Sequence, residues 1–180
     1  TARLLVQEGA KVVLADIKRE LGQELAEDLT AQGHEALFVH TDITKQQERA
    51  TNLVDQALAA FGTVDILVNA AGCHSLDGKG TGNSFPNVLE EDLDLMFEVH
   101  AQGTFMMSQE VARRIMIPNR SGNIVMISSL AAHGKFIPTA YGAAKAAVSW
   151  FTVGFAVALG KYGINVNCVS PGMVLTPIYR

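Results

Sequence analysis

The 180-residue sequence has little of what would mark a chain for a special environment. It holds two cysteines, Cys73 and Cys168, which match no metal-ligand spacing and are too few for a disulfide framework, so both read as small buried hydrophobes. Neither sign of charge dominates. A formal net charge of -4 and a pI near 5.7 give no electrostatic reason to expect nucleic acid or an anionic membrane as partner. Long apolar runs are missing too: the longest helix-compatible stretch without a charge, Ala146 to Gly160, has 15 residues and is interrupted by Gly154. Crossing a bilayer takes roughly 20, so the stretch reads as a buried helix. No basic, then apolar, then small-residue pattern opens the sequence, which makes the cytoplasm the expected location. Five scattered histidines suggest no metal site. These exclusions leave a small molecule as the expected partner.

What the sequence does have is a regular alternation. Short β-branched runs occur at Lys11–Ala15 (ending at Asp16), Val64–Asn69, Gly122–Ile127 and Gly163–Val169, with a weaker one at Ala36–His40. Helical periodicity fills the gaps. Leu21, Leu25 and Leu29 share a face before Gly33; Thr44-Lys-Gln-Gln47 reads as a capping box opening a helix striped with Leu53, Val54, Ala57, Leu58 and Phe61 and closed by Gly62. A further stripe of Leu93, Phe97, His100, Thr104, Met107 and Val111 is expected to stop at Pro118. Strand and helix in turn imply parallel pairing, because parallel strands need a long crossover, and so a doubly wound α/β sheet with helices on both faces. Ligands of such sheets bind outside the carboxyl ends of the strands. Cys73 to Asn87 is rich in Gly, Ser and Asn and predicts a long loop. With no repeat or linker, residues 1–180 are expected to form one domain.

Thr1 to Gly9 reads as the later part of a helix. In a dinucleotide-binding βαβ unit an acidic residue lies about 20 positions after the Gly-rich turn. Counting back from Asp16 passes Thr1, so the first strand and its glycine fingerprint are expected upstream.

Polar chemistry concentrates at strand ends. Tyr141-Gly-Ala-Ala-Lys145 puts a phenol and an ammonium one turn apart on an otherwise apolar helix, where i and i+4 side chains face the same way. A shuffled chain of this composition shows such a pair roughly one time in eight, so its surroundings must decide. About a dozen residues earlier, Gly122-Asn-Ile-Val-Met-Ile-Ser-Ser129 delivers hydroxyls at the end of a strand; Leu67-Val-Asn-Ala-Ala-Gly72 and Asn167-Cys-Val-Ser-Pro-Gly172 end two others in small or turn-forming residues.

In this order and spacing the sequence resembles the short-chain dehydrogenase/reductase family along essentially its whole length. The resemblance implies a Rossmann-type NAD(P)-binding fold and an oxidoreductase acting on a secondary alcohol or ketone. Tyr141 would be the general acid or base. Its phenol, with an ordinary pKa of about 10, would be acidified by Lys145 and by an oxidised nicotinamide. Lys145 would also hold the cofactor ribose. A serine would hydrogen-bond the reacting oxygen: the strand register points to Ser129 and the commonest family spacing back from Tyr141 to Ser128, and the strand, as the stiffer ruler, makes Ser129 the expected one. His100 stands where the family has an Asn supporting a water that leads to the lysine. Imidazole there suits either a proton relay or a hydrogen-bonded core histidine.

The same resemblance gives the cofactor residues. Asp16 would accept the adenosine ribose hydroxyls and repel a 2'-phosphate, favouring NAD over NADP, although Lys18 and Arg19 blunt that preference. Asp42, with Ile43 beside it, matches the adenine edge. Asn69, Ala70, Ala71 and Gly72 would let the cofactor approach the backbone, and Pro171, Gly172, Val174 and Thr176 the nicotinamide end. His74 and His133 read as surface residues. Family habit and the apolar helices imply a homo-oligomer, a tetramer or dimer. The competing expectation is a nucleotide-binding or scaffold protein of the same fold without turnover.

Overall fold

The computed structural model describes residues 1–73, 85–134 and 139–174, apart from the side chains of Ala50 and Thr51. The chain divides into two compact units, Thr1–Val64 and Asp65–Arg180. In the first, helix α1 (Ala2–Gln7) leads to strand β1 (Val12–Asp16), helix α2 (Arg19–Ala31) and strand β2 (Ala36–His40). A π-helical stretch, Glu48–Val54, then runs into α3 (Asp55–Phe61). β1 and β2 pair in parallel with Asp16 opposite His40. α2 lies close on β2: a Cβ added at Gly22 would fall 2.1 Å from the Phe38 ring, so only glycine allows this approach. Ala26 and Leu29 of α2 are buried, as are Leu53, Val54 and Ala57 of the later helix, whereas Leu21, expected on the inner face, is 61 % exposed.

The predicted capping box does not form. Asp42, not Thr44, supplies the turn: its Oδ1 accepts the Thr44 N–H at 2.9 Å and the Thr44 hydroxyl at 2.7 Å. Glu48 reaches back to the Asp42 N–H at 2.6 Å, in the place foreseen for Gln47. An ionised carboxylate outcompetes a hydroxyl or an amide for these donors. Gly62 closes the helix in the left-handed conformation, φ 78°, as predicted.

The second unit holds three parallel strands, β3 (Ile66–Asn69), β4 (Gly122–Ile127) and β5 (Ile164–Val169), with β4 central. Between β3 and β4 runs a helical rod: α4 (Glu90–Met96), a π-helical stretch Phe97–Gly103, α5 (Thr104–Val111), a second π-helical stretch Ala112–Met116 and α6 (Ile117–Asn119). Its inner stripe is His100, Thr104, Met107 and Val111, all buried, while Leu93 and Phe97 stand about two-fifths exposed. Pro118 does not stop the rod but sits in its last turn, and the chain leaves through Arg120 at φ 52°.

A 3-10 turn, Leu130–His133, follows β4, and α7 (Ala140–Leu159) then packs on β5 and on the π-helical stretch of the rod. Ile124 and Met126 of β4 are fully buried, each such side chain stabilising the unit by about 1.5–3 kcal/mol. α7 and the turn after it are long and apolar enough to cross a membrane by length and composition, more so than the charge-free run alone suggested. Lys145 is nevertheless buried against β4, and Ala144 and Val148 face the same interior. The five strands are those predicted, in parallel sheets linked by helices: the chain has the α/β, Rossmann-type fold. Of the predicted loop from Cys73 to Asn87, residues 74–84 lie outside the described residues.

Candidate active site

The end of β4 separates its two serines. Successive side chains point to opposite faces of a strand, and Ser128 points inward, 2 % exposed. Its hydroxyl donates to the Lys145 carbonyl at 2.8 Å and lies 2.7 Å from Ser149 Oγ, so it joins β4 to α7. Ser129 is half-buried at the head of the 3-10 turn, where its oxygen accepts the Ala131 N–H at 3.2 Å. That leaves the Ser129 hydroxyl proton for another acceptor.

Thr139 caps α7 by accepting the Gly142 N–H at 3.0 Å, which places Tyr141 in the first turn, half-buried, and Lys145 one turn further on. Lys145 Nζ donates to the Ile127 carbonyl at 2.7 Å and stands 5.7 Å from the centre of the Tyr141 ring. Burial pulls its pKa down to about 8, against an opposing influence from the Cys168 and Cys73 thiols. One carbonyl bond leaves other ammonium hydrogens for a further acceptor.

Across from α7, the imidazole of His100 is buried with its Nε2 2.9 Å from the Cys73 carbonyl. Its ring meets that of Tyr141 edge to face, centroids 5.1 Å apart at 84°, a favourable aromatic geometry. Behind it stands Gly72, where an added Cβ would lie 2.7 Å from His100 Cε1. Ser129, Tyr141, Lys145 and His100 are thus gathered around the carboxyl ends of β3 and β4.

Cys73, expected as a small buried hydrophobe, belongs to the same cluster. It is half-buried rather than buried, with its sulfur 4.0 Å from His100 Nε2, and it packs with Tyr141 against Met96, Ala140 and Ala144. Burial raises its thiol pKa, Lys145 opposes that and Asp92 adds to it. Its place directly after the small-residue strand end was the available signal.

The proposed cofactor residues divide. Asn69 turns its amide inward, donating to Ser108 Oγ at 2.9 Å with Met126 Sδ at 3.4 Å, so its side chain latches β3 to the rod. Ala70, Ala71 and Gly72 are exposed. The Pro171 carbonyl accepts the Leu130 N–H at 3.0 Å, a Cβ on Gly172 would lie 3.3 Å from Leu130 Cδ1, and Val174 is exposed. Thr176 and His74 lie outside the described residues, and His133 is exposed.

In the first unit, Asp16 is exposed at the end of β1, and its Oδ1 accepts the Lys18 N–H at 2.9 Å. Asp42 is half-buried. Burial pushes its carboxyl upward, but the two Thr44 bonds outweigh this, aided by Lys45 and Arg49, and hold it below the ordinary range. Buried Arg49 donates to the Ile43 carbonyl. A cleft of about 380 Å³ in this unit is lined by Arg19, Phe38, His40 and Asn52 among others, and by none of the predicted site residues.

Comparison with known proteins matches residues 1–180 to the short chain dehydrogenase family model. Tropinone reductase-like 1 of Erythroxylum coca is 38% identical over 179 residues, which are 99% of this chain and 63% of that protein. A gluconate 5-dehydrogenase from Burkholderia cenocepacia, crystallised with NADP and tartrate, superposes with a TM-score of 0.88 at 29% identity, covering 99% of this chain and 68% of the other. An NAD+-bound xylitol dehydrogenase does so with a TM-score of 0.88 at 27% identity, covering 97% and 65%. The chain spans about 63% of the length of the first of these relatives.

Proposed function

We propose, because the chain belongs to the short chain dehydrogenase family, that its protein oxidises a secondary alcohol or reduces the matching ketone with a nicotinamide cofactor. One observation carries this reading: Lys145 is buried beneath the Tyr141 ring and anchored to the Ile127 carbonyl, two residues before Ser129 on the same strand end. A charged amine is costly to bury, and a purely structural helix has no need of one there.

Each unit holds residues suited to part of a dinucleotide. Exposed backbone at Ala70–Gly72 offers close approach without side-chain bulk, and Lys145 keeps donors beyond its Ile127 bond for ribose hydroxyls. In the first unit, Asp16 has one carboxylate oxygen bonded to the Lys18 N–H and a second for a ribose hydroxyl, and Asp42 and Ile43 would meet the adenine edge. The carboxylate of Asp16 favours NAD; Lys18 and Arg19 nearby moderate that preference. Asn69 would act through its backbone, its amide being occupied by Ser108. When bound, the cofactor supplies or accepts the hydride.

The chain's own residues handle the proton. Tyr141 takes the alcohol proton in oxidation and returns it to the carbonyl oxygen in reduction. Lys145 stabilises the phenolate through its charge. Ser129, with a hydrogen still to donate, meets the same oxygen as charge develops there, whereas Ser128 is occupied by α7. An exposed apolar strip on α7, Trp150, Val153 and Val157, supports burial against a second copy.

The test is absorbance of reduced nicotinamide when the full-length protein is incubated with NAD or NADP and a panel of secondary alcohols. Turnover with NAD that Tyr141→Phe removes is the expected result. Cofactor binding by calorimetry without turnover of any alcohol or ketone would overturn the enzyme reading in favour of a binding protein of the same fold.

A further inference from the structure

We infer that His100 is a positioning residue held as the Nε2–H tautomer, a wedge that fixes the exit of β3 against the ring of Tyr141 and takes no part in moving the proton. This rests on the reading above for the role of Tyr141, but the assignment of the imidazole itself comes from its contacts. A carbonyl oxygen can only accept. With Cys73 O 2.9 Å from Nε2, that nitrogen must carry hydrogen. The Cys73 N–H also points at Nε2, from 3.4 Å, but a nitrogen that is donating has no lone pair left in the ring plane to receive it. The strong contact sets the tautomer and the weak one is incidental.

Three surfaces of the ring are therefore defined. Nε2–H is spent on the backbone of Cys73. The Cε1 edge lies where any side chain at residue 72 would be, since a Cβ there would stand 2.7 Å from Cε1 and 3.2 Å from Nδ1. The ring as a whole meets Tyr141 at 84° and 5.1 Å. Glycine at 72 and histidine at 100 are one arrangement: the missing Cβ makes room for the imidazole, and the imidazole ties down a strand exit that has no side chain of its own to do so. A relay through Nε2 would need that N–H to leave its carbonyl in every turnover, releasing the β3 exit each time, and one through Nδ1 would put a positive charge on a buried ring. Among the described residues, the titratable groups against the ring are Tyr141 from α7 and Cys73 from the β3 exit; Lys145 stands beside Tyr141, and Asp92 of the rod is coupled electrostatically to Cys73.

The full-length protein, labelled with 15N-histidine, reads the tautomer directly from the paired ring-nitrogen resonances and needs no substrate. The expected spectrum shows Nε2 protonated and Nδ1 unprotonated, unchanged from about pH 6 to about pH 9, across the ordinary histidine range. A protonated Nδ1 in the neutral ring, or conversion of the ring to its doubly protonated form within that span, would overturn the inference whether or not any alcohol is turned over. In assays of secondary-alcohol oxidation with NAD, His100→Phe, which keeps an aromatic body and loses the donor, is expected to lower kcat by about tenfold to a hundredfold through misplacement of Tyr141. Its pH profile should keep the wild-type inflections, and His100→Gln, which restores an N–H donor, should recover part of the loss. Recovery of His100→Ala turnover by added imidazole, with a shifted pH profile, would instead make the ring a proton carrier.

Discussion

The residues proposed for the adenosine half and most of those around Tyr141 hold their polar groups by different means. In the first, Asp16 and Asp42 bond to residues two positions away, Lys18 and Thr44, and the Glu48 bond to the Asp42 N–H reaches only six. In the second, Ser128 and Lys145 reach 17 and 18 positions along the sequence, His100 reaches 27 and Asn69 reaches 39. Local bonds are made by the turn itself and survive with little help. Long-range bonds exist only once strand and helix have packed, so they report on the packing and stabilise it. The difference suggests that residues proposed for the adenosine half can change with little effect on stability, and that those around Tyr141 cannot.

The sharpest probe of that contrast is a long-range site where chemistry and packing separate. Tyr141→Phe keeps the ring that His100 and Lys145 contact and removes only the hydroxyl. Turnover is expected to fall by about 10²–10⁴, the usual range for a general acid or base, with thermal stability close to wild type. A large drop in melting temperature would mean that the hydroxyl is structural.

Next comes the serine pair, neighbours in sequence with opposite expected behaviour. Ser129→Ala should lower kcat by about 10²–10³, as loss of an oxyanion donor does, and leave the fold intact. Ser128→Ala should do the reverse: its buried hydroxyl donates to the Lys145 carbonyl and sits beside half-buried Ser149 Oγ, which still reaches that carbonyl at 3.2 Å, and loss of the Ser128 bond costs about 1 kcal/mol. Chemical denaturation beside steady-state rates separates the two. If Ser128→Ala abolishes turnover without loss of stability, the assignment must be exchanged.

What could be read in the sequence follows the same division. All five strands, the Gly62 stop and the crowding of polar residues at strand ends are local patterns of period, turn and cap, and they stand in the structure. Residues whose partners are distant were misread or left open. Asn69 is proposed as a cofactor contact through its backbone, and the latch its amide makes to Ser108 stayed out of sight because nothing near it in sequence announces that partner. The choice of Ser129 over Ser128 rests on strand register alone until the Lys145 carbonyl, 17 positions away, is seen to hold Ser128. Cys73 passed for a core hydrophobe because its neighbour His100 is 27 positions away. Even the failed capping box fits: Thr44 and Gln47 have the right types, but the carboxylates of Asp42 and Glu48 are stronger acceptors within the same few residues.

Lys145 extends the comparison to pH. Its folded pKa of about 8 lies below the value near 10.4 of an unfolded lysine. Between those values the unfolded chain holds the proton and the folded chain has shed it, so stability rises with pH through that window. Below about pH 8 the native state bears the full cost of the buried charge. The gain across the window is of order 3 kcal/mol at most. Lys145→Met should remove it, so that urea midpoints of variant and wild type converge as pH climbs from about 7.5 to about 10. Cys73, whose raised pKa acts in the opposite direction, is present in both proteins and drops out of the difference to first order. Parallel midpoint curves would show that the amine is not buried in the folded protein.

The smallest effect on stability is expected in the first unit, where it tests the comparison from its other side. Asp16 is exposed, and among the described residues its side chain bonds to the Lys18 N–H. Removing it with Asp16→Ala should move stability by no more than about 0.5 kcal/mol, as at an ordinary surface site. Cofactor preference should respond far more, because the carboxylate both accepts ribose hydroxyls and repels a 2'-phosphate. Its loss leaves Lys18 and Arg19 as the charges nearest in sequence, and the ratio of kcat/KM for NADP over NAD should rise by about tenfold, equivalent to about 1.4 kcal/mol. An unfolding midpoint that falls as far as that of Ser128→Ala would erase the distinction between locally and distantly held polar groups. An unchanged ratio would place the adenosine ribose away from Asp16 and leave the distinction standing.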